Sequence, residues 1–194
     1  MITRRDFTLS LAALATPGFA RARPYQLDAE ASRVGFTYRL AGAPQRGEMP
    51  ITRADLSVNP SDLGASTADV IVNPARASTG LFFATDALKS ASVLDTDRFP
   101  DIRFTSTAVR LAPSGRLSDG AALIGDLTVR DITREISLEV SLFRPPGSDP
   151  DDLSVLTITL SGALSRAAFG ATGYADIVAD TVGLEIAATI RAMA

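Results

Sequence analysis

Acidic residues are the main groups in this chain that could carry out acid–base chemistry. The sequence contains no histidine and no cysteine, which excludes a Ser-His-Asp triad, a thiolate nucleophile and a Cys/His zinc site. The remaining candidates are clustered carboxylates: Asp95 with Asp97, and Asp149 with Asp151 and Asp152. Two carboxylates hydrolyse glycosides when they lie about 5–9.5 Å apart. The first pair is typical of a helix end and turn, and the second group of a solvated loop, so we expect no enzyme activity, no metal and no cofactor.

Bulky apolar residues are a second group with a possible function, since they could line a cavity for an apolar ligand. The candidates for ligand binding are Phe36, Tyr38, Phe82, Phe83, Phe99, Phe104, Leu127, Leu138 and Phe169. Burying a flexible apolar ligand contributes about 25 cal/mol per Å² of apolar surface, less the cost of ordering it. Aromatic residues also serve as ordinary core, so residue type alone leaves a cavity and a packed interior open.

Two arginines, Arg98 and Arg166, are candidate contacts for the polar head of such a ligand. A guanidinium offers a forked pair of donors to a phosphate or carboxylate. Arg98 precedes a Phe-Pro pair and Arg166 lies in a Phe-Gly turn, where a structural role is the alternative. The chain has 19 basic and 22 acidic residues and a net charge of −3, which argues against a nucleic-acid partner.

Alternating apolar and polar residues predict the strands that position these side chains. Eight such runs lie near residues 34–40, 53–58, 70–72, 102–105, 126–130, 135–142, 156–160 and 182–191. Short turn signals between them favour antiparallel hairpins. Leu81, Thr85 and Leu88 have near-helical spacing and predict one or two short helices between residues 78 and 94. The fold class is therefore all-β with a helical insertion, either a sandwich or a closed barrel that can hold one ligand.

The first 22 residues have the pattern of an export signal. Arg4 and Arg5 precede an apolar stretch over residues 9–19, and Ala20-Arg21-Ala22 is a small-x-small cleavage site. The paired arginines resemble a twin-arginine signal, with an ordinary secretory leader as the alternative. The apolar stretch is shorter than the roughly 20 residues that span a bilayer. We expect a periplasmic domain over residues 23–194, with a net charge of −5 and no permanent membrane anchor.

Several stretches, in order, resemble the YceI-like family. They are Tyr25-Gln26-Leu27-Asp28, Ser32-Arg33-Val34-Gly35-Phe36, Ala77-Ser78-Thr79-Gly80, Leu88-Lys89-Ser90-Ala91, Arg98-Phe99-Pro100-Asp101-Ile102-Arg103-Phe104-Thr105-Ser106-Thr107, Gly125-Asp126-Leu127-Thr128-Val129-Arg130-Asp131-Ile132-Thr133-Arg134, Ser165-Arg166-Ala167-Ala168-Phe169-Gly170 and Asp180-Thr181-Val182. The resemblance covers nearly all of residues 23–194. It implies an eight-stranded, antiparallel, lipocalin-like barrel with a short helical insertion, and a secreted protein associated with polyisoprenoid binding.

Four positions depart from the family pattern: Ala31, Ala87, Val93, where an aromatic residue is usual, and Ser165, where asparagine is usual. The family usually carries histidine where this chain has Ala31 and Ala87, which leaves open a changed ligand or a lost site. The resemblance implies a non-catalytic carrier of an isoprenoid-like or other long amphipathic lipid. The alternatives are an interaction module whose barrel is filled by its own side chains and, third, a carboxylate hydrolase. Ligand identity, chain length and oligomeric state stay open.

Overall fold

Antiparallel strands make up most of the computed structural model, which describes residues 22–59, 61–113, 120–149 and 152–193. The strands are β1 (Arg23–Leu40), β2 (Ala43–Met49), β3 (Ile51–Val58), β4 (Thr67–Val72), β5 (Ile102–Leu111), β6 (Ala121–Val129), β7 (Ile132–Phe143), β8 (Val155–Ser165) and β9 (Thr181–Ala192). One α-helix, α1 (Phe82–Lys89), lies between β4 and β5, and short 3-10 helices are formed by Leu63–Ala65, Pro74–Arg76 and Ala167–Phe169. The predicted export signal, up to residue 21, and Asp151 lie outside the described residues.

The nine strands close into an eight-stranded barrel. Residues 34–40 of β1 pair with β2, and residues 23–25 of β1 pair with β3. Because β2 and β3 are separated only at Pro50, they form one wall of the barrel. β1 also pairs with β9, so the sheet has no free edge along this seam. The predicted antiparallel barrel with a short helical insertion is confirmed, and the sandwich alternative is wrong.

A bulge divides β1 into two parts, which pair with β3 near one end of the barrel and with β2 near the other. The pairing of β1 with β9 shifts register between Asp28 and Arg33, and a bulge of this kind bends its strand. The buried Ser32 hydroxyl donates to the Asp28 carbonyl at 2.6 Å and accepts from the Thr189 N–H at 3.1 Å. These two bonds replace backbone pairing at the bend. Ala31, one of the positions that depart from the family pattern, is exposed in this bulge.

Two tight hairpins use residues in the left-handed region. Ala41 and Gly42 join β1 to β2, and Arg130 (φ 52°) and Asp131 (φ 59°) join β6 to β7. Two-residue hairpins favour this conformation because its twist matches that of the strands. Arg130 and Asp131 carry side chains where glycine or asparagine is usual, so the surrounding structure must hold this turn.

The two ends of the barrel are covered differently. At one end Tyr25, Leu156 and Ile190 form a buried cluster. At the other end α1 and the residues after it pack through Leu94 onto the barrel wall and Phe169. The predicted helix in residues 78–94 is confirmed by α1. None of the described helices has the length and apolar content needed to cross a membrane.

Candidate functional site

A cavity of about 560 Å³ occupies the barrel interior. This volume falls within the roughly 300–1,000 Å³ of sites that hold small organic ligands. Every strand except β2 supplies at least two lining residues, and nearly all of these residues are apolar. Within the described chain, the lining side chains with a polar group are Tyr38, Thr79, Arg166 and Tyr174. The interior is thus hollow, and its wall is suited to apolar material.

Glycines in the barrel wall make room for the large interior side chains. A Cβ atom on Gly47 would lie 2.2 Å from Cζ of Phe36, and one on Gly125 would lie 2.5 Å from Cζ of Phe104. Such distances are far inside van der Waals contact, so each ring tip occupies the space of a missing side chain. The rings therefore lie against neighbouring strands and leave the centre of the barrel open.

Most of the predicted ligand-binding residues lie around this cavity. The lining includes Phe36, Tyr38, Phe83, Phe104, Leu127, Leu138 and Phe169, and also Arg166. Strand alternation explains the agreement, since every second residue of an inward-facing run points to the same side.

Three predicted residues lie outside the lining: Phe82, Phe99 and Arg98. Phe82 is 84% exposed, because neighbouring residues on a helix point about 100° apart and Phe83 takes the inward position. The Arg98 guanidinium lies 5.0 Å from the centre of the Phe99 ring, a cation–π contact. These two side chains therefore contact each other instead of the cavity.

The cavity reaches the surface between α1 and the segment that follows Phe169. Phe83, Tyr174 and Ile177 line the cavity and are also exposed. The Gly173 N–H donates a 2.8 Å hydrogen bond to the Ser92 carbonyl, which joins the residues just after α1 to the segment that follows Phe169. We call this opening, flanked by Phe83, Tyr174 and Ile177, the mouth.

Arg166 holds one side of the mouth together. Its guanidinium donates to four backbone carbonyls, those of Ala171 (2.6 Å), Gly173 (2.7 Å), Val178 (2.9 Å) and Ala179 (3.1 Å). The side chain is buried, and burying a charge requires such compensation. The geometry therefore gives this residue a structural role, the alternative noted from its position in a Phe-Gly turn.

Asp180 lies beside this arginine. Hydrogen bonds from the Ser165 hydroxyl and the Ala167 N–H lower the pKa of the Asp180 carboxyl, and the positive charge of Arg166 lowers it further. A carboxyl that stays ionised helps to balance the buried guanidinium.

Arg130 joins two of the segments near the mouth, a role that the sequence analysis missed. Its Nη1 atom donates to the carbonyls of Val93 (2.9 Å) and Gly170 (2.7 Å), so it joins the segment after α1 to the turn that follows Phe169. The signal available in the sequence was a two-residue hairpin between β6 and β7 without glycine or asparagine. Such a strained turn suggests a side chain with a positioning role.

Tyr38 carries the one buried side-chain polar atom without a hydrogen-bond partner in the described part of the chain. Its ring stacks on Phe36, with 6.1 Å between ring centres. Thr79 differs, because its hydroxyl bonds to the Leu81 carbonyl and to the Thr85 hydroxyl. The Tyr38 hydroxyl is therefore an unused polar group in a largely apolar interior.

The carboxylates considered for hydrolysis do not meet at the cavity. Asp95, Asp97, Asp149 and Asp152 are all absent from its lining. The described residues contain no cluster of acidic side chains that could hold a metal ion. Ala87, where the family usually has histidine, does line the cavity.

Comparison with known families and proteins agrees with this architecture. The YceI-like domain family matches residues 25–190. The UPF0312 protein of Yersinia pestis is 27% identical over 154 residues, which is 77% of each chain. The UPF0312 protein of Vibrio vulnificus is 24% identical over 140 residues, 71% of each chain.

Solved structures share the fold. BcnA of Burkholderia cenocepacia superposes with a TM-score of 0.73 at 18% identity, covering 84% of this chain and 99% of its own. A polyisoprenoid-binding domain from Saccharophagus degradans, implicated in plant cell wall breakdown, superposes with a TM-score of 0.62 at 11% identity, covering 88% and 99%.

Proposed function

The chain belongs to the YceI-like family, and we propose that it is a non-catalytic periplasmic carrier that holds an isoprenoid-like or other long amphipathic lipid inside its barrel. The observation that carries the proposal is the apolar cavity of about 560 Å³. A long apolar chain gains free energy mainly from leaving water, at about 25 cal/mol per Å² of buried apolar surface. A hollow barrel with an apolar lining supplies that surface, and a ligand of this kind needs few hydrogen bonds from the protein.

The preformed walls support the same proposal. Phe36 and Phe104 are held against Gly47 and Gly125, so the cavity does not have to be opened by moving core rings. A ligand that enters a preorganised cavity avoids much of the ordering cost of binding. The polyisoprenoid-binding domain of S. degradans has the same fold, which makes an isoprenoid chain the first ligand to test.

The chemistry of the lining supports a carrier over an enzyme. The polar lining side chains in the described chain are two tyrosines, one threonine and one arginine. Thr79 and Arg166 are occupied by the hydrogen bonds given above. This set lacks a nucleophile held beside a general base, the arrangement that covalent catalysis requires.

Native mass spectrometry of residues 23–194, purified from the periplasm, tests the carrier function. We expect a stoichiometric apolar adduct that organic solvent removes and that the stripped protein takes up again. Phe104→Asp should abolish the adduct, because an apolar ligand that fills the cavity would strip the new carboxylate of its hydration without giving it a partner. Ser137→Asp, on the exposed face of β7, is the control and should retain it. A bare protein mass with no uptake of added isoprenoids would favour the interaction module.

Cell fractionation tests the export part of the proposal. The Arg4-Arg5 pair and the Ala20-Arg21-Ala22 site support a twin-arginine leader. We expect the intact chain in the periplasm, and a variant with Arg4→Lys and Arg5→Lys in the cytoplasm. Unchanged periplasmic levels of the variant would indicate an ordinary secretory leader.

A further inference from the structure

Exposed apolar side chains surround the mouth of the cavity. Phe82 and Phe83 on α1 are 84% and 63% exposed, and Tyr174 and Ile177, across the mouth, are exposed as well. We call these four residues the rim. Single apolar residues at a surface are common, but a cluster of large ones usually marks an interaction site. Phe82 is the clearest case, because it does not line the cavity and ligand binding inside the barrel does not explain it.

The surface around the mouth carries almost no charge. It is formed by residues 80–85 at α1, residues 171–179 after Phe169, and residues 40–45 at the β1–β2 hairpin, which is hydrogen-bonded to the second stretch. Asp176 is the one charged residue in these three stretches. The charged residues next to them have both signs: Arg39, Asp86, Lys89 and Asp180. Such a surface complements an apolar partner without net charge better than an anionic or a basic one.

The described chain begins and ends at the opposite end of the barrel from the rim. Tyr25, near the start of β1, pairs with Ala192 at the end of β9. The three internal gaps in the described residues fall in the turns from β3 to β4, from β5 to β6 and from β7 to β8, which lie at the Tyr25 end as well. The rest of the chain therefore joins the structure far from the rim, which favours a partner outside this chain as the cover.

The cavity indicates the chemistry of that partner. Phe83, Tyr174 and Ile177 line the cavity and are also exposed, so the apolar surface continues from the interior onto the rim. A lipid that left the barrel through water would expose its apolar chain, at a cost of about 25 cal/mol per Å². Contact between the rim and a bilayer avoids this cost, because the chain then passes from one apolar environment directly to another.

We propose that the rim docks on the surface of a lipid bilayer without net charge, and that the ligand passes through the mouth between bilayer and barrel. Apolar side chains of a docked surface helix enter the boundary between headgroups and acyl chains, and tyrosine is favoured at the same depth. The rim lacks the cluster of basic residues that binding to anionic lipids requires. The passage of ligand rests on the carrier function proposed above, whereas docking of the ligand-free protein does not.

Co-sedimentation of the lipid-stripped protein with phosphatidylcholine vesicles tests the docking. We expect the wild-type chain to bind, equally at low and high salt. Phe82→Ser should bind about ten-fold more weakly, because it removes a large apolar side chain from the contact. Phe143→Ser is the matched control and should bind as the wild type does. Phe143 is 54% exposed, lies outside the cavity lining, and is at the Tyr25 end of the barrel.

Transfer of a fluorescent isoprenoid from the vesicles to the protein tests the passage of ligand. Phe82→Ser should slow this transfer about ten-fold, in line with its weaker docking. The affinity of the variant for the same probe in solution should stay unchanged, because Phe82 lies outside the cavity lining. Docking without uptake of the probe would overturn the carrier function and leave the docking in place. Uptake at the same rate by wild type and Phe82→Ser would overturn the inference and leave the carrier function in place.

Other results of the vesicle experiment would also overturn the docking. A wild-type chain that stays in solution, or equal losses in Phe82→Ser and Phe143→Ser, would remove the rim as a specific contact. Binding only to vesicles that contain phosphatidylglycerol, lost at high salt, would indicate an electrostatic contact instead. Dimers of the free protein that Phe82→Ser dissociates, with no vesicle binding, would assign the rim to a second copy of the chain. Thermal unfolding of both variants, expected at an unchanged temperature, checks that their fold is intact.

Discussion

Two tyrosines at opposite ends of β1 show how differently the two ends of this barrel are built. Tyr25 is 3% exposed, and its hydroxyl donates to the Leu153 carbonyl at 2.8 Å. Burial raises the pKa of its phenol, and the charge of Arg23 opposes that rise. Tyr38 lines the cavity and its hydroxyl has no partner in the described chain. One tyrosine completes a core with its hydroxyl hydrogen-bonded, while the other lines a cavity with its hydroxyl buried and unpaired among the described residues.

The difference shows that the same residue type on the same strand can complete a packed core or line a cavity, according to what lies across from it. At the Tyr25 end, Leu156 and Ile190 fill the space inside the barrel. At the Tyr38 end, glycines such as Gly47 leave space at the wall, and aromatic rings such as that of Phe36 occupy it. Close packing stabilises the first end, and the second end gives up part of that stabilisation to keep a cavity.

The largest expected effect comes from breaking the mouth at Arg166. Arg166→Ala would leave four backbone carbonyls without their charged donor. Hydrogen bonds to charged groups contribute about 1.5–3 kcal/mol each and are not additive, so we expect a loss of about 3–5 kcal/mol in unfolding free energy. Urea unfolding measures it. Arg98→Ala, on the surface, is the control and should lower stability by at most about 1 kcal/mol, the contribution of its cation–π contact with Phe99. Similar values for both variants would refute the structural role of Arg166.

The two tyrosines themselves give the next largest effect. Tyr25→Phe leaves the Leu153 carbonyl without its donor, and we expect a loss of about 1–2 kcal/mol in the ligand-free protein. Tyr38→Phe removes a hydroxyl that has no hydrogen-bond partner among the described residues, so the unfolding free energy of this variant should stay level or rise. Paired urea titrations measure both variants. Equal destabilisation by the two substitutions would contradict the contrast between the two ends.

The smallest expected effect separates neighbouring phenylalanines at the mouth. Phe83 lines the cavity, whereas Phe82 does not and is exposed. Phe83→Ser should weaken ligand binding about three- to ten-fold, because it removes apolar contact surface. Phe82→Ser is the matched control and should leave the affinity unchanged. Titration of a bound isoprenoid probe measures both; an equal loss would move the binding surface to the outside of α1.

The strands could be predicted because each buries one face only. Along β1, β7 and β9 the alternation of apolar and polar residues located the inward side chains, including Phe36, Leu138 and Leu184. The closed barrel did not follow from periodicity, since a sandwich has the same alternation. The closure of the barrel depends on β1 pairing with three other strands. The pattern of residues within one strand does not identify its partners.

The candidate site was predictable in composition but not in the roles of its polar residues. Helix α1 was predicted, yet spacing alone did not distinguish Phe82 from Phe83 as the inward residue. Arg166 was a candidate contact for a ligand's head with a structural role as the alternative, and its hydrogen bonds go to carbonyls brought near it by a long turn. The Tyr38 hydroxyl is unpaired because no described hydrogen-bonding group lies near it in the folded chain. The sequence around Tyr38 does not contain that information.

The central claim is that the barrel is hollow, and filling it tests this most directly. Ala54 on β3 lines the cavity and is half-buried. Ala163 on β8 is exposed and lies outside the lining, so Ala163→Phe is a control for the same change on a strand. Unfolding free energy and uptake of an isoprenoid should be measured together for Ala54→Phe. We predict lost uptake with unchanged or increased stability; a loss of about 1–3 kcal/mol, the cost of overpacking a filled core, with uptake retained would contradict the account.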